Sequence, residues 1–261
     1  MKMFALLLAS LTLFSWMLSG NRPAPITVGD RKQLFIDHKF IAASENVALA
    51  SNPPQKEGVV LKGEFPWENG LLNYGSVIDD NGFYKMWYEG MEQDGLKGPR
   101  RPFHTLYATS TDGIHWEKPV LGLTEFDGSR ANNIVQGSDD WEKGGAVFLD
   151  PKAPDDQRFK RVVGLFKYKG PDHGGLYIIY SGDGVRWKLH EPAVFPFNSD
   201  TDNQAFYDPR IQKYVAYVRM YDPWRKVGRI ETDHIMEPWP FHSLAKPNYG
   251  DMGEKYLPFP S

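Results

Sequence analysis

Short runs rich in aromatic and β-branched residues recur along the chain, and each is bounded by Gly, Asp, Asn or Pro. This is the patterning of strands and tight turns. In the run Phe83 to Glu89, Phe83, Lys85, Trp87 and Glu89 share one face, while Tyr84, Met86 and Tyr88 share the other. Large apolar groups on both faces predict a strand covered from both sides. No segment after residue 20 carries a sustained helical period.

The runs are organised as a repeated block. Its first copy opens with Tyr74-Gly-Ser-Val-Ile-Asp79, turns at Asp80-Asn81-Gly82, continues through Phe83 to Glu89, and resumes at Leu106-Tyr-Ala-Thr-Ser-Thr-Asp112-Gly-Ile-His-Trp116. The second copy is Gly145 to Asp150, Phe159 to Tyr168 and Leu176 to Trp187. The third starts at Asn203-Gln-Ala-Phe-Tyr-Asp208, continues through Tyr214 to Arg219, and keeps a worn last part from Gly228 to Trp239. Ser110-x-Asp112-Gly113-x-x-Trp116 and Ser181-x-Asp183-Gly184-x-x-Trp187 read as a structural hairpin lock. In such a lock Ser and Asp bind turn amides, Gly takes the left-handed position and Trp packs beneath.

Strand after strand without crossover helices predicts an all-β fold of antiparallel four-stranded units. Arranged radially, such units form a β-propeller, here a partial one over residues 21–261. Residues 30–65 supply two further strand candidates, Leu34–Asp37 and Val59–Lys62, for another blade. A fourth copy starting at Lys255 to Phe259 predicts a chain that is incomplete at its C-terminus. A small two-sheet sandwich is the competing architecture.

Composition narrows the setting. Lys2 followed by the apolar stretch Phe4 to Leu18 and the small residues Ser19 and Gly20 has the form of a signal peptide over residues 1–20. An uncleaved N-terminal anchor is the alternative. After cleavage no stable membrane insertion is expected, and the protein is placed in the periplasm or outside a bacterial cell. The chain has no Cys, so disulfides are excluded and a core large enough to stand without them is expected. A net charge of −3 disfavours a phosphate backbone, so nucleic acid is not an expected partner. Oligomeric state is not legible.

The segments Gln33-Leu-Phe-Ile-Asp37, Gly75-Ser-Val-Ile-Asp79, Tyr84-Lys-Met-Trp-Tyr88, Ser110 to Pro119 and Asn203 to Asp208 together resemble the five-bladed β-propeller glycosidase superfamily, relatives of glycoside hydrolase families 32, 43, 62 and 68. The resemblance spans roughly residues 30–261. It implies a carbohydrate substrate and three carboxylates around a central funnel, with a base or nucleophile, a stabiliser and an acid in successive blades. The family's Asn-Asp-Pro-Asn opening and Arg-Asp-Pro triplet do not occur in this sequence. A carbohydrate-binding propeller without hydrolytic activity is therefore the alternative function.

Acids just ahead of each innermost strand are expected to converge on such a funnel. Glu68 and Asp200 lead the candidates for catalysis, with Asp202 and Glu254 behind them. Asp139, Asp140, Glu142 and Asp251 occupy comparable positions. Glycoside hydrolysis needs one protonated and one ionised carboxyl, and burial with mutual repulsion can separate their pKa values. Trp67 is a candidate platform for a sugar face. Glu89, Arg101, His104, His173, Asn203 and Arg219 are candidate contacts for hydroxyls or acidic groups, and Glu89 and Arg219 occupy matching strand ends. The histidines lack metal-ligand spacing, so no metal and no cofactor are expected beyond a structural Ca²⁺.

Overall fold

The computed structural model describes residues 24–30, 33–92, 103–137, 143–165, 175–197, 199, 201–221 and 225–240. The proposed leader lies outside them. No helix among the described residues is long and apolar enough to cross a membrane. The chain divides into two compact units, Met1–Lys56 and Glu57–Ser261.

The described part of the first unit consists of turns and irregular chain. Asp37 accepts a hydrogen bond from the Lys39 amide (2.9 Å), and the Ile41 amide donates to the His38 carbonyl (3.0 Å). These local bonds bend the chain, so the strand expected at Leu34–Asp37 does not form. Leu34 and Ile36 stay 74% and 83% exposed. Val59–Lys62, in the second unit, also lies outside any strand. Residues 30–65 thus add no blade.

The second unit carries eleven strands among its described residues, all paired antiparallel. The first sheet is β1 (Leu71–Asp79), β2 (Tyr84–Met91), β3 (Phe103–Ser110) and β4 (Ile134–Gln136). The second is β5 (Lys143–Leu149), β6 (Phe159–Leu165), β7 (Gly175–Ser181) and β8 (Lys188–Phe195). The third has β9 (Gln204–Asp208), β10 (Lys213–Tyr221) and β11 (Arg225–Thr232). Each sheet adds strands in chain order, so the repeated block read from the sequence is one meander. The all-β expectation holds.

The acid that closes each first strand has the same task in all three copies. Asp79 accepts from the Gly82 amide (2.6 Å), Asp150 from Lys152 (2.9 Å) and Asp208 from Arg210 (3.0 Å). A carboxylate at that position satisfies an amide that the tight turn would leave unpaired. The two Ser-x-Asp-Gly turns also match bond for bond. Ser110 Oγ accepts from the Gly113 amide (2.9 Å), and Asp112 Oδ1 accepts from Ile114 and His115 (both 2.8 Å). Ser181 and Asp183 repeat this with Gly184 (2.9 Å), Val185 (2.8 Å) and Arg186 (2.7 Å). Gly113 and Gly184 adopt φ of +76° and +80°, a region that side chains resist.

Successive sheets cover one another. Trp87, Tyr107 and Val135 of the first pack on Val147 and Phe159 of the second. Phe148, Val162, Leu176, Ile178 and Phe195 of the second pack on Ala205, Tyr214, Ala216 and Val218 of the third. The first strands meet as well. Val147 donates its amide to Ser76 Oγ (3.1 Å), and Ala146 donates to the Asn203 carbonyl (3.2 Å). Sheets joined through their innermost strands and layered face on face are arranged as neighbouring propeller blades.

At the outer turns the blades are also tied. Trp87 Nε1 donates to the Gly184 carbonyl (2.6 Å), so a first-blade indole reads the second-blade turn. Arg158 holds both oxygens of Asp80 (3.0 and 2.6 Å), and Tyr214 donates to Asp150, which pairs with buried Lys160 (2.8 Å). The duplicated turns therefore differ in their surroundings. A Cβ on Gly184 would lie 2.5 Å from the Trp87 ring, whereas one on Gly113 meets nothing within 4 Å. Gly113→Ala is expected to cost about 1 kcal/mol of backbone strain. Gly184→Ala adds overpacking and is expected to cost about 1–3 kcal/mol more. Urea unfolding of the two variants checks the difference; equal losses would mean that Trp87 does not brace the turn.

Candidate functional site

The candidate site is built where β5 bulges. Its pairing with β6 slips between Gly144 and Val147, as that of β1 with β2 slips between Asn73 and Ser76. A Cβ on Gly144 would lie 1.7 Å from the Arg161 guanidinium, and one on Gly145 would lie 2.0 Å from the Asn203 carbonyl. Only glycine allows both approaches, the usual meaning of paired glycines within a strand.

Arg161 of β6 is buried between the first two blades. Its Nε donates to the Gly145 carbonyl (2.5 Å) and its Nη1 to Thr105 Oγ1 (2.9 Å), while Nη2 lies 3.9 Å from Glu89 Oε1. Glu89, buried at the end of β2, also accepts the Gly144 amide (3.1 Å). Burial pushes the guanidinium pKa down, and the negative charges of Glu89 and Asp202 push it back up. An arginine in a protein stays protonated, so it supplies a fixed positive charge.

Asp202, in the chain entering β9, is the second acid in this field. Burial raises its carboxyl above the ordinary aspartate value; Arg161 opposes the rise, Glu89 reinforces it, and a hydrogen bond with Gln204 opposes it. Its Oδ1 is buried without a hydrogen-bond partner among the described residues. Asp202 and Gln204 line a cavity of about 560 Å³ together with Tyr217, Arg219, Arg225 and Lys226. A carboxyl driven towards its protonated form beside a paired carboxylate has the separation of character that acid–base chemistry requires.

Glu68 does not join this group. Its carboxylate is fully enclosed: Oε1 accepts from the amides of Glu64 (3.0 Å) and Phe65 (3.3 Å) and from Lys118 (2.5 Å), and Oε2 accepts from Tyr88 (2.9 Å). Tyr88 and Glu89 are consecutive in β2 and point to opposite faces, so Glu68 lies on the face of the first blade away from Arg161. Trp67 is on that face too, stacked on Phe65 (4.8 Å, 14°) and donating to Asn133 Oδ1 (2.8 Å). His104 packs edge-on against Phe126 there (5.6 Å), 3.6 Å from Glu92, and the next residue, Thr105, is the one that meets Arg161.

Asn203 is a clasp. Its Oδ1 accepts from Ser199 Oγ (2.8 Å) and the Arg219 amide (3.1 Å), and its Nδ2 donates to the carbonyls of Ser199 (3.2 Å) and Thr201 (3.0 Å). These bonds are those of a strand cap. Asp200, Glu254, Arg101 and His173 lie outside the described residues, as do Asp139, Asp140, Glu142 and Asp251. Arg161, Thr105 and the Gly144–Gly145 pair were not legible as site residues. The available signals were two glycines opening a strand and two charges, Lys160 and Arg161, inside an otherwise apolar run.

No known protein-family profile matches the chain. It is 29% identical over 156 residues to the uncharacterized proteins Rv1502 and MT1551 of two Mycobacterium tuberculosis strains. The match covers 56% of this chain and 46% of those proteins, so the chain spans about half the length of the curated relatives it matches. Among solved structures it is similar to Zg3597, a family 117 glycoside hydrolase of Zobellia galactanivorans, at 17% identity and a TM-score of 0.48 over 71% of this chain and 60% of that one. The Bombyx mori β-fructofuranosidase BmSUC1 gives 16% and 0.47 over 70% and 37%. The β-fructofuranosidase of Schwanniomyces occidentalis in complex with fructosyl-erythritol gives 15% and 0.46 over 66% and 34%.

Two outcomes follow for the acids. Lys118→Met leaves the buried Glu68 carboxylate without its cation and is expected to cost about 3–5 kcal/mol, most of it recovered in Glu68→Gln/Lys118→Met; urea unfolding of the single and double variants measures this. For Asp202 the sign is reversed. Its folded pKa is raised, so the native state loses stability as pH climbs from the unfolded value of about 3.9 through the folded one. Asp202→Asn is expected to match the parent's melting temperature near pH 3 and exceed it at pH 7. A variant that melts lower at pH 7 would contradict the burial of an uncompensated acid.

Proposed function

We propose that this protein is an exported glycoside hydrolase of the five-bladed propeller type, acting on a poly- or oligosaccharide. Residues 1–20 are its leader. The observation that carries the reading is Asp202, which lines a cavity and whose carboxyl burial raises in the field of Arg161 and Glu89. Asp202 acts as general acid, giving its proton to the glycosidic oxygen as the bond to the anomeric carbon breaks. Glu89, held by Arg161 and the Gly144 amide, presents negative charge to the cationic sugar that develops. Asp200, two residues ahead of Asp202, is the proposed carboxylate that activates water. Glu254 is proposed as a further catalytic carboxylate, and Arg101 and His173 as contacts for the substrate.

The alternative is a carbohydrate-binding propeller without turnover, which the missing Asn-Asp-Pro-Asn and Arg-Asp-Pro motifs favour. Aryl glycosides and polysaccharides incubated with the full chain separate the two. Under the hydrolase reading, Asp202→Asn lowers kcat by about 10²–10⁴-fold while sugar binding persists. The basic limb of the pH profile reports the Asp202 proton, because activity falls as that carboxyl ionises. Glu68→Gln retains kcat and loses stability. Sugar binding with no released product would favour the binder, and turnover that survives Asp202→Asn would remove this residue from the chemistry.

A further inference from the structure

One face of the third sheet brings an aromatic ring to the cavity that Asp202 lines. Register sets Tyr217 of β10 opposite Gln204 of β9 on one side and Arg229 of β11 on the other, and partners across an antiparallel pair share a face. Alternation adds Phe206 and Val227 to that face. The other face carries Ala205, Ala216 and Val218, which pack on the second blade. The Tyr217 side chain is held at two points. Its ring stacks on Phe206 (6.1 Å, 26°), and Arg229, itself paired with Glu231, donates a hydrogen bond to its hydroxyl. Tyr217 is nonetheless 38% exposed and lines the cavity of about 560 Å³ together with Asp202, Gln204 and Val227, which is 72% exposed. Gln204, the residue opposite the ring, is also the one bonded to the Asp202 carboxyl.

We propose that Tyr217 is the platform on which a sugar ring stacks in this cavity, and that it selects glycans whose ring presents an unbroken face of C–H bonds. The inference rests on the carbohydrate reading above and names the residue that positions the sugar at the same site. The face of a phenol ring is electron-rich and attracts the weakly positive C–H hydrogens that line one side of a sugar. A ring already fixed by Phe206 and Arg229 gives up little freedom when a ligand settles on it. Val227 extends the apolar surface on the same face of the sheet. The sugar's hydroxyls project from its rim, where the Gln204 amide can both donate and accept and where Asp202 stands. Apolar wall and convergent polar groups thus meet in one concavity of ligand size.

Titration of the full chain, labelled with ¹³C in its tyrosine rings and followed by NMR, tests this with xylotriose, β-1,4-galactotriose and α-1,5-arabinotriose. The ring signal missing from Tyr217→Phe identifies Tyr217. At least one sugar is expected to shift that signal, and the sugar that does so tells a six-membered from a five-membered ring. Its Kd is expected to rise about tenfold or more in Tyr217→Leu and to stay within about threefold in Tyr217→Trp, which restores an aromatic face. Phe83→Leu, which removes an aromatic of similar exposure (43%) elsewhere, leaves the Kd unchanged. Binding of no sugar, binding that leaves the Tyr217 signal unmoved, an unchanged Kd in Tyr217→Leu, or a loss that Tyr217→Trp shares would overturn the proposal. Stacking on Tyr217 without hydrolysis would fail only the catalytic reading; hydrolysis that Tyr217→Leu leaves unchanged would fail only this one.

Discussion

The absence of side chains at Gly144 and Gly145 is the constraint on which the hub depends. On one side their backbone lets the Arg161 guanidinium approach β5 closely; on the other it lets the Asn203 carbonyl reach the Ala146 amide. One bulge thereby fixes a positive charge between the first two blades and docks the third. Glu89 and Asp202 come from different blades and are related through that charge. Their unequal electrostatic positions follow from what each touches: Glu89 has the guanidinium and an amide, while Asp202 has burial and a single amide side chain.

A second organising feature is duplication without equivalence. The Ser-x-Asp-Gly turns have nearly identical internal bonds, yet Trp116 donates to its own turn at Gly113 (3.0 Å), whereas the Gly184 carbonyl takes its proton from Trp87 of the neighbouring blade. The motif is complete within one hairpin, and its docking depends on what lies alongside. The worn third copy keeps only fragments. Thr232 Oγ1 accepts from the His234 amide (3.2 Å), and Trp239 donates to Ile235 (3.1 Å) and through its backbone to Val194 (2.9 Å).

Much of the fold was legible because it is local. Strand alternation, the Asp79, Asp150 and Asp208 turns and the Ser-x-Asp-Gly locks are set by residues a few positions apart. The reading of Leu34–Asp37 and Val59–Lys62 as strands failed because apolar content does not create a strand without a partner. The site was half legible. Glu89 and His104 are both legible as candidate contacts, but alternation is a matter of parity. Glu89 faces the hub, whereas His104 faces away and its neighbour Thr105 takes the hub position. Glu68 occupied the expected place in the chain, and only the enclosing Lys118, fifty residues on, makes it an architectural anion. Arg161 was hidden because a mid-strand charge usually points to solvent.

Asp80–Arg158, Trp87–Gly184 and Asp150–Lys160–Tyr214 join the blades at the tight turns. Glu89, Arg161 and Asp202 are related instead through the β5 bulge. The sheets are thus fastened twice, by side chains at the turns and by backbone at the bulge. Exchanges at the turns would loosen the first fastening while leaving the charges at the second in place, so frame and charge can vary separately.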